Sequence, residues 1–412
     1  MANSRVFQAK KNAILAIFFQ SILLAIGFVS RSIFVHNLGS QYLGLNGLFT
    51  QILQILSLAD LGIGQALVFS MYEPIASNNK EKLSTLLKLY KKIYILIGVS
   101  ILVLGIITIP FLSFIINGIN VKESITMLFV LFLINSVVSY FYTYCRSILI
   151  ADQKNYVVQF WDTIGKVCLN VLQICILLKY KNYTMFLVIQ IVSTVLTNIL
   201  ISRVSKKRYK DVFDIKPQPL PDNEKKSIIA NIKGLIIYKI GGTILGSTDN
   251  VIISIVLNTV VVGFYSNYLM ITTALGTITM QAYNSIFSTI GNLHVTASTE
   301  KKETIFYELM FITAWIFGFL STGLFLFLNP VISLWLGEKY LLSNGTVLAI
   351  SLLFFYQNMH YPANSYRQTA GLFVYGKYAP LVASVINIVF SIILGNIFGL
   401  PGILVGTIFA LI

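Results

Sequence analysis

Seven ionisable residues lie inside long apolar stretches of the sequence: Arg31, Asp60, Arg146, Asp162, Lys166, Lys239 and Asp249. A charge near the middle of a bilayer costs about 2.5–3.5 kcal/mol, so such a residue normally faces a water-filled cavity or a partner. The chemistry these residues suggest is therefore recognition of a charged ligand within a membrane.

Some of these charges can be explained without a ligand. Asp162 and Lys166 are four residues apart, so they can form an ion pair along one helix. Arg146 and Lys233 lie near the ends of their apolar stretches, where long cationic side chains extend to the lipid headgroups. We therefore interpret these four residues first as a self-neutralised pair and two anchors.

Arg31 and Lys239 are harder to explain, because no carboxylate lies three or four residues from either. Two cations favour an anionic ligand, and the arginine guanidinium binds phosphate oxygens through paired hydrogen bonds. Asp249 can pair with either cation, as part of a gate or as a purely structural contact. Both a ligand site and a structural pairing stay open here.

Composition places these residues in a membrane protein. Of 412 residues, 56% are hydrophobic and 11% are charged, and the mean hydropathy is +0.79. A soluble domain has about 45–50% apolar and about 25% charged residues, so an ordinary soluble enzyme, a disordered chain and a coiled coil are excluded.

Windows of about 19 residues predict an all-α polytopic protein with twelve transmembrane helices. The predicted spans are residues 13–36, 42–71, 93–116, 124–148, 157–178, 184–202, 231–256, 262–290, 305–329, 346–369, 378–397 and 400–412.

The net charge of +15 mostly indicates orientation. With a cytoplasmic N-terminus, 22 of the 30 Lys and Arg residues fall in inner segments and 4 in outer segments. This bias is the positive-inside pattern of a plasma membrane protein, so we expect membrane lipids rather than nucleic acid as the partner of the basic loops.

A basic, proline-containing segment divides the chain into two halves. Residues 206–229 contain K-P-Q-P-L-P-D, in which alternating prolines disfavour a helix. We predict a six-helix bundle over residues 1–205, a cytoplasmic linker over 206–229 and a second six-helix bundle over 230–412. Transporters are often built from two such repeats, with the substrate site between them.

Aligning the halves supports a repeat. A shift of 219 residues places Gly44 on Gly263 and gives six identities over about 40 positions. The same shift places one polar stripe on another, with Gln20, Gly27 and Arg31 over Lys239, Gly246 and Asn250. The spacing i, i+7, i+11 keeps each stripe on one helical face, so two such stripes could line a hydrated cleft.

The predicted binding site combines these stripes with polar residues of the eighth span. That span carries Tyr265, Tyr268, Gln281, Tyr283 and Asn284, whose side chains are suited to stacking on sugars and to hydrogen bonding with them. The predicted site residues are Arg31, Lys239, Asp249, Gln20, Asn250, Tyr268 and Asn284.

Other motifs predict little chemistry. The glycines from Gly241 to Gly246 resemble a phosphate loop but lack its lysine, and close helix packing through Gly242 and Gly246 explains them better. The three cysteines and three histidines form no metal, disulfide or nucleophile pattern. We therefore expect no cofactor and no catalytic site.

Four motifs resemble the polysaccharide transporter family of bacterial repeat-unit flippases, which belongs to the multidrug/oligosaccharidyl-lipid/polysaccharide exporter superfamily. They are G-L-N-G-L-F running into S-L-A-D-L-G-I-G, then N-P-V-I-S-L-W-L-G-E-K-Y, R-Q-T-A-G-L and the closing L-P-G-I-L-V-G-T. Together, in this order, they resemble a flippase for capsular or other surface polysaccharide.

The resemblance implies a V-shaped pair of six-helix bundles that works by alternating access. The implied substrate is an undecaprenyl-diphosphate-linked oligosaccharide, moved from the cytoplasmic to the outer leaflet, with the family's cationic cavity at Arg31 and Lys239. Polysaccharide polymerase and glycosyltransferases are the implied protein partners. Similar proteins often continue for two further helices, so the resemblance leaves open whether the chain is truncated after Ile412.

Two alternatives stay open. A cation-coupled multidrug antiporter would share the fold and would use a buried carboxylate, for which Asp60 or Asp249 could serve. A membrane polysaccharide polymerase or glycosyltransferase normally needs a long outer loop with catalytic residues, and the longest outer loop predicted here has about 16 residues around Pro330 to Gly345.

Overall fold

The computed structural model describes residues 2–57, 63–216, 241–296, 298–369 and 378–412. Within these ranges all regular secondary structure is helical. The helices up to residue 216 are α1 (Ala2–Leu38), α2 (Ser40–Leu56), α3 (Ile63–Ala76), α4 (Lys80–Thr108), α5 (Leu112–Ile115), α6 (Ile125–Tyr140), α7 (Thr143–Ala151), α8 (Asn155–Tyr180), α9 (Tyr183–Arg208) and α10 (Lys210–Phe213). After residue 241 they are α11 (Asp249–Val256), α12 (Thr259–Thr296), α13 (Thr299–Leu336), α14 (Asn344–Met359), α15 (Tyr361–Thr369), α16 (Ala379–Phe398) and α17 (Leu400–Leu411), and residues 241–247 are also helical.

The helices confirm the prediction of an all-α polytopic membrane protein. Of the described helices, seven are long and apolar enough to cross a bilayer, and α6 with α7 makes an eighth, bent by 44°. Each of the twelve predicted spans contains helical residues. The remaining spans are built from shorter helices, such as α14 followed by α15.

The outer surface of α13 is suited to lipid. Trp315, Phe319 and Leu334 are 69%, 76% and 90% exposed. A soluble protein rarely exposes a continuous apolar face of this kind, whereas acyl chains solvate it without cost.

The chain divides into two compact units. The first comprises the described residues of Met1–Gly39, Ile52–Ser113 and Asn120–Ile240, and the second comprises those of Ser40–Gln51, Phe114–Ile119 and Gly241–Ile412. Two short segments from the first half of the sequence thus belong to the second unit. The predicted linker begins within helix, because α9 continues to Arg208 and α10 follows it, while residues 217–240 lie outside the described ranges.

Small residues allow the helices of the first unit to pack closely. An added Cβ on Gly105 of α4 would lie 2.4 Å from a methyl carbon of Leu133 on α6. On α8, an added Cβ on Gly165 would lie 2.1 Å from the hydroxyl of Thr197 on α9. Because lipid is as apolar as leucine, such close van der Waals packing drives the association of membrane helices.

In the second unit, the start of α2 crosses the start of α12 through two glycines. An added Cβ on Gly44 would lie 2.0 Å from the carbonyl oxygen of Thr259, and one on Gly263 would lie 2.5 Å from that of Ser40. The shift of 219 residues pairs Gly44 with Gly263 and Ser40 with Thr259, so the contact is reciprocal between repeat-related residues. This reciprocity supports the internal repeat more strongly than the six identities do.

Candidate functional site

Arg31 lies on α1, half-buried within the first unit. It lies near Tyr183, the first residue of α9. Tyr183 is itself fully buried, stacks on Phe186 at 5.8 Å between ring centroids and meets the edge of Phe34 at 5.7 Å. Aromatic packing between α1 and α9 therefore fixes the surroundings of Arg31, whose guanidinium has five N–H donors.

Asp249 begins α11 and lies in a polar cluster of the second unit. Its Oδ1 accepts hydrogen bonds from Thr407 Oγ1 at 2.9 Å and from Asn387 Nδ2 at 3.5 Å. Asn387 Nδ2 also donates to Thr407 Oγ1 at 2.7 Å, and Thr248 Oγ1 donates to Asn387 Oδ1 at 2.8 Å. Among the described residues, no cationic side chain lies within ion-pair distance of this carboxylate. The cluster therefore offers oxygen atoms from three helices for a proton or a small cation.

Asn250 follows Asp249 and is only 3% exposed. Within the described part of the chain, its Oδ1 atom has no hydrogen-bond partner. A buried acceptor without a donor costs about 1–3 kcal/mol, so this position is suited to a donor from a ligand or water. Asp249 and Asn250 are consecutive residues at the start of α11.

Tyr268 has a different environment from the one predicted. It is fully buried, and its hydroxyl donates to Asn329 Oδ1 at 2.6 Å and accepts the backbone N–H of Leu342 at 2.9 Å. Asn329 Nδ2 in turn donates to the carbonyl of Leu342 at 3.0 Å. These contacts fasten α12 to α13 and to the loop before α14, so the Tyr268 hydroxyl is already engaged within the protein.

Of the other predicted site residues, the structure describes the side chain of Gln20 only. Gln20 is half-buried on α1, the helix that also carries Arg31. Asn284 lies on α12, but its side chain is outside the described residues, as are Lys239, Lys233 and Asp60. The pairing of Asp249 with Lys239 therefore stays a prediction.

The structure corrects the interpretation of three charged residues. Asp162 forms its ion pair with Arg146, at 2.7 Å between Nη1 and Oδ2, rather than with Lys166. Arg146 Nη2 also donates to Asn198 Oδ1 at 2.7 Å. The predictions of an Asp162–Lys166 pair and of Arg146 as a headgroup anchor were wrong, because a carboxylate and an amide from two other helices meet the guanidinium inside the unit.

The predicted close packing through Gly242 and Gly246 was wrong, and so was the predicted length of the longest outer loop. Added Cβ atoms on Gly242 and Gly246 would meet no described atom within 4 Å, whereas one on Gly241 would lie 2.4 Å from the backbone of Leu381. Close packing therefore uses Gly241.

The predicted outer loop of about 16 residues is shorter in the structure. It comprises residues 337–343, because α13 continues through Pro330 as far as Leu336.

Sequence reasoning missed the polar cluster around Arg146. A signal for it was present, because the polar residues of α9 repeat at i, i+3, i+4, i+7 and i+8 and so share one helical face. These residues are Gln190, Ser193, Thr194, Thr197 and Asn198. The described residues contain no group of three or more His, Cys, Asp or Glu side chains that could hold a metal.

Comparison with known families gives one extended match. The family described as polysaccharide biosynthesis protein matches residues 9–294. No curated protein matches the sequence significantly.

Solved structures share the fold. A multidrug resistance MATE family transporter of the MOP superfamily, in an inward-facing conformation, has a TM-score of 0.66 at 17% identity, covering 97% of this chain and 95% of that one. The lipid II flippase MurJ, in an inward closed conformation, has a TM-score of 0.65 at 15% identity, covering 97% and 85%. The Vibrio cholerae MATE transporter VcmN has a TM-score of 0.66 at 10% identity, covering 98% and 94%. At these identities the likeness shows the fold alone.

Proposed function

Because the chain belongs to the polysaccharide biosynthesis protein family, we propose that it is a flippase for an undecaprenyl-diphosphate-linked oligosaccharide repeat unit. It moves this unit by alternating access from the cytoplasmic to the outer leaflet of a bacterial plasma membrane, for capsular or other surface polysaccharide. The N-terminus is cytoplasmic. Polysaccharide polymerase and glycosyltransferases are its partners in the pathway.

The main observation behind the proposal is that Arg31, a cationic residue, lies within a predicted membrane span of a chain that belongs to this family. Arg31 is half-buried on α1 beside Tyr183, at a depth where an arginine is costly. A guanidinium there can bind a diphosphate, because charge-assisted hydrogen bonds from a guanidinium to phosphate oxygens are about twice as strong as neutral ones. Lys239 is the second proposed phosphate ligand, and Gln20, Asn250 and Asn284 are the proposed contacts of the glycan. Tyr268 supports α12 structurally.

Substitution of both cations tests this proposal. In a deletion strain, the Arg31→Gln/Lys239→Gln variant should accumulate lipid-linked oligosaccharide on the cytoplasmic leaflet at an unchanged protein level. The control, Lys92→Gln/Arg203→Gln, removes one lysine and one arginine from exposed positions. Normal surface polysaccharide in the first variant would refute the proposed role of these cations.

The Asp249 cluster supplies the coupling step of the proposed cycle. A carboxylate within the membrane is stable when it is protonated or paired with a cation. Asp249 Oδ1 and Thr407 Oγ1, 2.9 Å apart, are hard oxygen donors that suit a proton or Na⁺. We infer that a monovalent cation binds here during transport.

The coupling step can be tested separately from substrate binding. Transport by the natural chain should change when Na⁺ is replaced by choline or when the pH is raised, whereas Asp249→Asn should respond to neither change. Asp214→Asn, at an exposed site outside the spans, is the matched control. An Asp249→Asn variant with the same ion dependence as the natural chain would overturn the coupling role.

The same cluster keeps the multidrug antiporter as a second candidate, because such an antiporter also needs a cation-binding carboxylate. Export of a cationic dye distinguishes the two functions. Dye export by the natural chain with no change in the leaflet distribution of lipid-linked oligosaccharide would favour the antiporter.

A further inference from the structure

A cavity lined mostly by residues with polar side chains lies in the first unit, between α6, α7, α8 and α9. Its volume is about 510 Å³, within the range of about 300–1,000 Å³ that is usual for small-molecule sites. Eleven of its thirteen lining residues have polar side chains, the exceptions being Gly165 and Leu169. Such a lining is costly against hydrocarbon, so the cavity is suited to water or to a polar ligand.

The charges in this cavity leave a net formal charge of +1. Arg146 is bound to Asp162 and to Asn198, each at 2.7 Å, and these two contacts leave N–H donors of the guanidinium for another acceptor. Lys166 lies one helical turn beyond Asp162 and is exposed. Asp162 thus holds the guanidinium in place and lowers the cost of keeping two cations in the unit.

The helix that carries Arg146 is interrupted at the cavity. α6 and α7 differ in direction by 44° across residues 141–142. Thr143 Oγ1 donates a hydrogen bond of 3.0 Å to the carbonyl of Ser139 across this bend, and both residues line the cavity. Membrane transporters often bind their substrates beside interrupted helices, because the backbone and side chains there turn towards a cavity.

The remaining lining groups are hydroxyls and amides. Gln190, Ser193 and Thr197 lie on one face of α9 and line the cavity. Hydroxyl and amide groups exchange hydrogen bonds with the hydroxyls of a sugar. The cavity therefore combines an anion-binding edge with a surface for a polyhydroxylated ligand.

We propose that this cavity is a ligand site of its own, which takes a sugar joined to phosphate, with the phosphate between Lys166 and Arg146 and the sugar against α9. The assignment of a sugar phosphate rests on the proposed function, whereas the anion-binding and hydrogen-bonding character of the cavity does not. Arg146 and Asn198 lie near the ends of predicted spans that are cytoplasmic in the proposed orientation. The site is thus a cytoplasmic subsite that contacts the phosphate-linked sugar of the substrate before transport.

Calorimetric titration of the purified full chain in detergent micelles tests the site, with glucose 1-phosphate as the probe. Lys166→Gln should weaken binding about tenfold, as expected for the loss of one charge-assisted hydrogen bond. The control Lys92→Gln makes the same change at an exposed position on α4 and should bind like the natural chain. An unchanged affinity in Lys166→Gln would overturn the proposal.

Asp162→Asn gives the result that separates a ligand site from a structural ion pair. The variant raises the net formal charge of the cavity from +1 to +2, so binding of glucose 1-phosphate should become tighter. If the pair only stabilises the helices, the same variant should lose thermal stability and bind no better. That second result would overturn the proposal.

Glucose and inorganic phosphate complete the experiment. Glucose 1-phosphate should bind more tightly than either, because it contacts both parts of the cavity. Equal binding of inorganic phosphate and glucose 1-phosphate would refute the sugar part of the site, and no binding of any of the three would refute the site entirely. Because this titration involves no transport, failure of the leaflet assay with intact binding would refute the proposed function alone.

Discussion

Replacing Gly44 by alanine should destabilise the protein through the crossing of α2 and α12. The added Cβ would lie 2.0 Å from the carbonyl oxygen of Thr259, whereas ordinary contact begins at 3.4 Å, so the helices must separate by about 1.4 Å along this line. For Gly263→Ala, the added Cβ would lie 2.5 Å from the carbonyl oxygen of Ser40, so the helices must separate by about 0.9 Å. Both obstacles are backbone atoms, which cannot rotate away as a side chain can.

Overpacking of this kind costs about 1–3 kcal/mol. Gly246→Ala is the matched control, because it lies in a helical segment of the same unit and its Cβ would meet no described atom within 4 Å. That change should stabilise the helix by up to about 1 kcal/mol. Because Gly44 and Gly263 share one contact, the double variant should cost less than the sum of the single ones.

Thermal unfolding of the purified variants in detergent micelles measures these differences. The expected order of stability is Gly246→Ala above the natural chain, with Gly263→Ala and then Gly44→Ala below it. If Gly44→Ala unfolds at the same temperature as Gly246→Ala, the two helices are not in close contact at this crossing and the reasoning fails.

Two further predictions concern a hydrogen-bonded loop and an exposed ion pair. Asn329→Ala should reduce stability by about 1–3 kcal/mol, because it removes a partner of the buried Tyr268 hydroxyl. Asn396→Ala, which removes only a bond to its own helix, is the control, and equal unfolding temperatures would contradict the prediction. Lys80, 2.8 Å away, holds the pKa of exposed Asp211 below its usual 3.8. The stabilisation that this ion pair gives is present above pH 3.8, the pKa of the unpaired carboxyl. It is lost as the pH falls through the lower pKa of Asp211 in the folded protein. The protection factors of the α10 amides, which correct exchange rates for their intrinsic pH dependence, should therefore fall only below pH 3.8, and Asp211→Asn should show no such fall.

The fold was largely predictable, since the length of an apolar stretch decides whether it can cross a bilayer. Each predicted span contains helix among its described residues, and the offset of 219 residues reappears as a physical contact between Gly44 and Gly263. Helix ends were less predictable. α13 passes through Pro330 and ends at Leu336, because neighbouring helices and side chains of a membrane protein can satisfy the backbone group that a proline frees.

The partners of the charged residues were not predictable in the same way. Spacing along one helix suggested that Asp162 would meet Lys166, and the carboxylate instead meets Arg146 on another helix. Tyr268 was chosen for its residue type, and its hydroxyl proved to be engaged by Asn329. In both cases the deciding contact joins residues far apart in the chain.

By itself, the sequence determined that this protein is a helical membrane protein, where its spans lie and which charges are unusual at their depth. These properties depend on local hydropathy and helical period, which each segment carries independently of the others. Only the tertiary structure decided that Arg146, Asp162 and Asn198 form one cluster and that Asp249 lies against Asn387. Ion pairs and hydrogen bonds act over a few ångströms, so they depend on which helix faces meet, and that is a property of the packed chain.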